Sequence, residues 1–494
     1  MNTFRNRPLT FMFLVSGLLL IGSASTTLSA AEVQHAVFLR VYQQPYDWQM
    51  PWNRKPVRRQ TGLALVTPNQ RLLATAELVA EHSLVEVYRP GDRYPSQATV
   101  LRTDDALNLA LLEVGNRAFW SGLKFPGWGK AQKGEVQVAT AKAPDRWEQQ
   151  AGTLDELKVG YRLRTETWLP VLQVQGVKDS GPAGAPVLQE NRLIGLALKQ
   201  SDKTWSVLHA THLQQFLAHP PTNPNSALAH RGFLWTRVPQ PSVTDHAGIP
   251  ADAVGIWITR ALSFGTGSQV LRSGDLLTHI GVWSLNADGQ IEHPVWGSVL
   301  FDALFLEELT LGASVDLRIW REGREQTITA TVRPFESNQT LVSSEPSGAA
   351  PRYLVQGGLL FQELSLNYLR SWGDEWSKRA PLRIRLYKAL EHTALENPSQ
   401  RIVLLTHVLP DAINLGYQDL SHEVVEQING LEISGLEAVQ AAFRQPSGEY
   451  HVIQLRPGAD RRQLILPARD LESANQRIQE TFRIPQLQYL ARRS

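Results

Sequence analysis

Gly181-Pro182-Ala183-Gly184-Ala185-Pro186-Val187 is the stretch on which the fold of this chain turns. Two glycines and two prolines in so short a run make a tight loop, because glycine supplies backbone angles that other residues avoid and proline fixes φ. Short apolar runs flank it, Trp168 to Gly176 before and Arg192 to Leu196 after. The same rhythm extends upstream through Thr61–Val79, His82–Pro90, Ala106–Gly115 and Gly134–Ala141, each bounded by Gly, Pro, Asn or Asp. Strands of that length at that spacing predict an all-β barrel or sandwich over residues 32–220, closed by a short helical pattern from His212 to Leu217.

Two polar stretches divide the rest of the chain. His219–His230 (HPPTNPNSALAH) and Glu336–Pro351 (ESNQTLVSSEPSGAAP) are linkers by composition. They leave a second region, 231–335, and a third, 352–494, which read as α+β modules of ordinary domain size. A helical pattern near Leu382–Leu395 lies in the third, among strand-like runs such as Arg401–Leu409.

Composition narrows the function. With 49 basic and 47 acidic residues the net charge is +2, which gives no electrostatic footprint for nucleic acid. Arg5 and Arg7 precede an apolar stretch from Leu9 to Ile21, and Ser29-Ala30-Ala31 offers a small-residue cleavage site. Residues 1–31 therefore read as a secretory signal peptide, with no membrane span in the mature chain. Cysteine is absent, which excludes a lipid-modified N-terminus, thiolate chemistry and cysteine metal sites. No cofactor is expected.

Three frames in the first region carry a resemblance. They are Leu73-Ala74-Thr75-Ala76-Glu77-Leu78-Val79, then Asn108-Leu109-Ala110-Leu111-Leu112, then the Gly181–Val187 loop. In order and spacing they resemble the histidine, aspartate and serine stretches of the trypsin-like serine proteases of the HtrA/Do type. The resemblance implies a mainly β fold: a trypsin-like double β-barrel followed by PDZ-like domains. It also implies that the chemical positions are degenerate. Glu77 stands at the histidine position, Asn108 at the aspartate and Ala183 at the serine.

Acyl transfer needs a nucleophile, a base to take its proton and a group that orients the base. A methyl group attacks nothing, and a carboxamide lacks the charge that stabilises an imidazolium. The resemblance leaves an oxyanion-hole remnant at the backbone N–H groups of Gly181 and Ala183. A displaced triad drawn from Ser180, His82 and Asp104 or Asp105 is the active alternative, although a shift of several residues moves a side chain out of a cleft. His209 and His212, three residues apart, lack a carboxylate or cysteine partner in the sequence and read as structural rather than metal-binding.

Gly232-Phe233-Leu234-Trp235 resembles the carboxylate-binding loop of a PDZ domain, whose next strand pairs with a peptide. Leu271–Leu277 (LRSGDLL) and Ser314–Gly323 match further PDZ elements, a Gly-Asp turn and a hairpin. The third region resembles the divergent second PDZ-like domain of some Deg-type proteases, through Val408–Tyr417 and Ile428-Asn429-Gly430-Leu431; Gly357-Gly358-Leu359-Leu360 is its nearest candidate loop. The expected function is non-catalytic capture of unfolded proteins or peptide C-termini in the periplasm. The expected assembly is a homo-oligomer or a mixed complex with an active paralogue. Trp48 and Trp52 are candidate subunit contacts.

Overall fold

The computed structural model describes residues 25–29, 32–162, 168–177, 182–201, 204–218, 228–335, 340–373, 375–390, 400–459 and 461–491. The fold is mainly β. After a short strand β1 (Ser25–Leu28), a first sheet holds β2 (Ala36–Gln43), β3 (Arg58–Val66), β4 (Leu72–Thr75), β5 (His82–Tyr88), β6 (Ser96–Gln97), β7 (Thr99–Asp104) and β8 (Leu109–Glu113). Its order is β6-β5-β2-β3-β4-β8-β7. A second sheet holds β9 (Gly134–Ala143), β10 (Arg146–Arg162), β11 (Trp168–Gln175), β12 (Pro186–Gln189), β13 (Arg192–Ser201) and β14 (Thr204–His209). These run β10-β11-β14-β13-β12-β9, and β9 also pairs with β10, so this sheet closes on itself as a barrel.

Each sheet wraps its own core. Val37, Leu39, Val85 and Leu112 fill the first. Val138, Leu172, Val187 and Trp205 fill the second. A third cluster is the seam between them, where Leu65, Leu73 and Leu109 meet Leu169, Leu196 and Leu208. All six are fully buried. Each such leucine contributes roughly 1.5–3 kcal/mol of transfer free energy, so the seam fixes how the two sheets face each other.

The second region forms a sheet from β15 (Phe233–Arg237), β16 (Ile256–Ala261), β17 (Leu276–Ile280), β18 (Trp283–Ser284), β21 (Ser314–Arg321) and β22 (Arg324–Thr331), with β15 at one edge. A separate hairpin of β19 (Gln290–His293) and β20 (Gly297–Leu300) packs beside it. β21 shows the period of two at its clearest: Val315, Leu317 and Ile319 are buried while Ser314, Asp316 and Arg318 are exposed. The two sequence elements singled out in this region meet. Gly274 takes φ +94 in the turn before β17, and the buried Asp275 accepts two bonds from Arg321, from Nε and Nη2, both at 2.7 Å.

The third region carries β23 (Tyr353–Gln356), β24 (Leu359–Glu363), β25 (Val403–Val408), β26 (Glu423–Ile428), β27 (Leu431–Glu432), β28 (Tyr450–Leu455), β29 (Gln463–Pro467) and β30 (Gln488–Tyr489). The helices Leu436–Phe443 and Leu471–Thr481 cover them. Asn429 and Gly430, at φ +52 and +79, form the tight turn between β26 and β27 that an Asn-Gly pair favours.

Two expectations need adjustment, and two placements add to others. The stretch read as a linker over 336–351 contains Leu341 and Val342, which are buried in the core of the third region with Leu366 and Tyr368. That region therefore begins ahead of residue 352, because two apolar side chains in a polar run found a core to enter. Ser25–Leu28, inside the stretch read as a signal peptide, pairs with Trp147–Gln150 of β10. The helix expected over Leu382–Leu395 is Leu382–Ala389, with 391–399 outside the described residues. Trp48 and Trp52, candidate subunit contacts, are partly buried against the third region; the Trp52 ring lies 5.8 Å from that of Tyr353.

Candidate functional site

The three frames converge. Glu77, Asn108 and Ala183 line one cleft of about 1500 Å3, whose far wall comes from the third region through Leu382, Arg385 and Leu386. Glu77 sits on the one-turn helix Ala76–Val79 with its side chain exposed. Thr75, the residue before that turn, makes no capping bond with its side chain. Asn108 supplies the acceptors instead: its Oδ1 takes the Glu77 amide at 2.9 Å and its carbonyl takes the Ala76 amide at 3.0 Å. It does so at φ +54, a left-handed conformation that asparagine tolerates better than most residues. Asn108 thus has a structural task that a carboxamide performs well.

Ala183 is held by its backbone. Its carbonyl accepts the Leu63 amide at 2.9 Å, and Gly184 donates to Ala197 at 2.8 Å. Gly184 takes φ +90, and a Cβ there would lie 2.1 Å from the Leu63 carbonyl oxygen. The loop therefore keeps a close-packed shape that requires glycine, while its central side chain is a methyl group. Gly181 and Ser180 lie outside the described residues.

Of the members proposed for a displaced triad, the described His82, Asp104 and Asp105 do not gather in the cleft. His82 lies on β5, where its Nδ1 bonds the Val79 carbonyl at 2.8 Å, and it does not line the cleft. Asp104 is buried, accepts the Leu107 amide at 3.0 Å, and is pushed up to about 7 by burial. Asp105 does line the cleft, but its Oδ2 accepts the Ser347 amide at 2.7 Å. Through that bond the segment Ser344–Ala349 lies along the cleft beside Glu81, a contact that sequence reading missed because its two ends are 242 residues apart.

His209 and His212 acquire the carboxylate that their neighbourhood in sequence lacked. Glu307, on the five-residue π-helical turn Leu304–Glu308, places Oε2 3.6 Å from His209 Nδ1 and Oε1 3.8 Å from His212 Nε2. Burial holds both imidazoles down at about 4 and pushes Glu307 up to about 7. Among the described residues, no group of three His, Cys, Asp or Glu side chains is arranged to hold a metal ion.

In the second region, Gly232 precedes β15 and Phe233, Leu234 and Trp235 open it. Phe233 is buried and stacks on Phe301 at 5.8 Å and 9°, while Trp235 meets Phe301 edge-on at 5.6 Å. In the third region the Gly357-Gly358 candidate is the turn between β23 and β24, at φ +56 and +81. Asn414 fills it, its Nδ2 donating to the Gly357 and Leu409 carbonyls at 2.8 Å each. The Gly357 amide in turn donates to Asn475 Oδ1 at 2.7 Å. The asparagine of the Val408–Tyr417 motif therefore fills the Gly357-Gly358 turn from within the chain.

A mainly β chain with a closed barrel, a facing second sheet and a PDZ domain has the fold class of a trypsin-like protease with an appended PDZ domain. A PDZ-domain family profile matches residues 342–488. The chain is 22% identical over 440 residues to "Protease Do-like 2, chloroplastic" of Arabidopsis thaliana, covering 86% of this chain and 71% of that protein. It is 22% identical over 445 residues to "Putative protease Do-like 13" of the same plant, covering 88% and 84%. Among solved structures, "HtrA-type protease AlgW with decapeptide" overlaps 61% of this chain and 96% of its own, at 15% identity and a TM-score of 0.44. The chain is thus similar over most of its length to Do-like proteases, and its residues 342–488 match a PDZ domain. Among the described residues, no helix is long and apolar enough to cross a membrane.

Proposed function

We propose that this Do-like protease homologue is non-catalytic and captures exposed peptide segments, as a chaperone-like or adaptor protein of the cell envelope. One observation carries the reading: at the cleft where Glu77, Asn108 and Ala183 meet, the nucleophile position is a methyl group. Among the described residues lining that cleft there is no histidine, so the usual base for activating a hydroxyl is missing from its walls. The cleft itself remains large, and Leu382 and Leu386 are well exposed along its outer wall at 63% and 53%. Exposed leucines at i and i+4 give one face of a helix an apolar stripe, which suits the side chains of an unfolded chain.

PDZ modules supply the second half of the reading. An edge strand such as β15 offers main-chain partners to an extended peptide, as in other β-augmentation complexes. Export rests on the N-terminal basic and apolar pattern. The expected setting is an assembly of identical chains or a mixed complex with an active paralogue.

The test is aggregation of a denatured client, such as reduced lysozyme or thermally unfolded citrate synthase, in the presence of the full chain. Suppression of aggregation with the client recovered at full length is the expected result. Aggregation unchanged at a several-fold molar excess contradicts the reading.

A further inference from the structure

The outer edge of β15 is already partly occupied by the chain's own side chains. The Gly232 carbonyl accepts the Leu262 amide at 2.9 Å and so faces the neighbouring strand β16. Main-chain groups alternate in direction along an antiparallel strand, so those of Phe233 face outward, where an added strand would pair. That carbonyl is taken: Arg231 Nε donates to the Phe233 oxygen at 2.8 Å. The same guanidinium is ion-paired through Nη1 with Asp302, which follows the Phe301 ring stacked on Phe233. One step earlier in the loop, the Gly232 amide donates to His230 Nδ1 at 3.0 Å.

These contacts decide which ligand end is welcome. A terminal carboxylate needs amide donors from the loop and a positive potential. Here the Gly232 amide is satisfied by an imidazole, and the charge of Arg231 is cancelled by Asp302. An extended segment taken from within a chain makes no such demand. It has only to exchange its own N–H for Arg231 Nε at the Phe233 carbonyl, and the Arg231–Asp302 pair can persist while it does so.

We propose that Arg231, held by Asp302, gates the β15 edge, and that this edge takes internal extended peptide segments in preference to free C-termini. The inference rests on the peptide-capture reading and specifies the ligand class at one of its sites. Both residues are partly accessible, with side chains 25% and 20% exposed, so the gate can open without unfolding the region.

The experiment uses the full chain and a fluorescein-labelled decapeptide of alternating valine and serine, made as the C-terminal amide and as the free acid, with binding read by fluorescence anisotropy. The wild type is expected to bind the amide more tightly. R231A exposes the Phe233 carbonyl and tightens the amide by about threefold to tenfold, the worth of one hydrogen bond no longer displaced. D302N leaves the Arg231 charge uncompensated and brings the free acid level with the amide or above it. Thermal unfolding of each variant confirms that it is folded. Tighter binding of the free acid by the wild type overturns the proposal. So does binding that neither substitution alters, in which case peptide capture stands but at another site. Absence of binding by the wild type and both folded variants overturns the gate and capture at β15 together.

Discussion

Asn108 Oδ1 accepts the backbone amide of Glu77 at 2.9 Å, so two residues of the first and second frames are joined by a direct structural bond. The Asn108 carbonyl takes the adjacent Ala76 amide as well, and the pair of bonds caps the turn that carries Glu77. The cleft is thus organised in part by backbone contacts between distant frames.

This bond sets the first expectation. Asn108→Ala removes the capping acceptor and is expected to cost about 0.5–2 kcal/mol, the usual range for loss of an N-terminal helix cap. Asn108→Asp keeps an acceptor and the tolerance for a left-handed backbone, and should change stability much less. Urea unfolding of both variants followed by tryptophan fluorescence distinguishes them; equal losses would mean that the cap contributes nothing.

Gly184 and Gly416 make a controlled pair. Both have positive φ, +90 and +88, but a Cβ on Gly184 meets the Leu63 carbonyl at 2.1 Å whereas one on Gly416 meets nothing within 4 Å. Gly416→Ala is expected to cost only the backbone strain, on the order of 1 kcal/mol. Gly184→Ala should also displace the loop from β3 and cost several times more, or prevent folding. Melting temperatures of the two variants give the comparison.

Acidification should weaken the fold. Burial lowers His35, His209, His212 and His422 from 6.5 to about 4. The unfolded chain then binds more protons than the folded one between those values, so stability contributed above pH 6.5 is lost as pH falls toward 4. Asp104 and Glu307 act in the opposite sense, raised from 3.8 and 4.5 to about 7, so their contribution is fully present at low pH and is lost as pH rises through 7. The histidines outnumber the carboxyls. The urea midpoint is therefore expected to fall from pH 6.5 to pH 4.5, and a midpoint that rises over that interval contradicts the assignment.

The bond between Asp105 and the Ser347 amide should protect the segment along the cleft. Asp105→Ala removes the acceptor, and cleavage after Glu345 by endoproteinase Glu-C is expected to accelerate several-fold relative to wild type. An unchanged rate would show that the segment is held by its other contacts.

Much of this was legible in the sequence, and the reasons are local. The frames around Glu77, Asn108 and Ala183 are strand ends and tight loops, whose apolar and glycine content survives whatever happens to the chemistry. The Gly274-Asp275 turn and the Arg321–Gly323 hairpin were legible for the same reason, since each needs particular residues at adjacent positions. What could not be read were contacts between distant segments. Nothing near His209 and His212 announces Glu307, and nothing near Asp105 announces Ser347. Leu341 and Val342 sit in a run whose overall polarity hid two core residues. The Gly357-Gly358 turn looked like a candidate loop because its occupant, Asn414, comes from another part of the chain.

The most direct test of the central claim is digestion of unfolded casein by the purified chain, run beside Ser180→Ala and Ala183→Ser. With a methyl group at position 183 and no histidine among the described residues lining the cleft, casein is expected to stay intact in all three, because a restored hydroxyl still lacks a base. Cleavage by the wild type that Ser180→Ala abolishes would contradict the claim and identify the protein as an active endopeptidase with a displaced nucleophile.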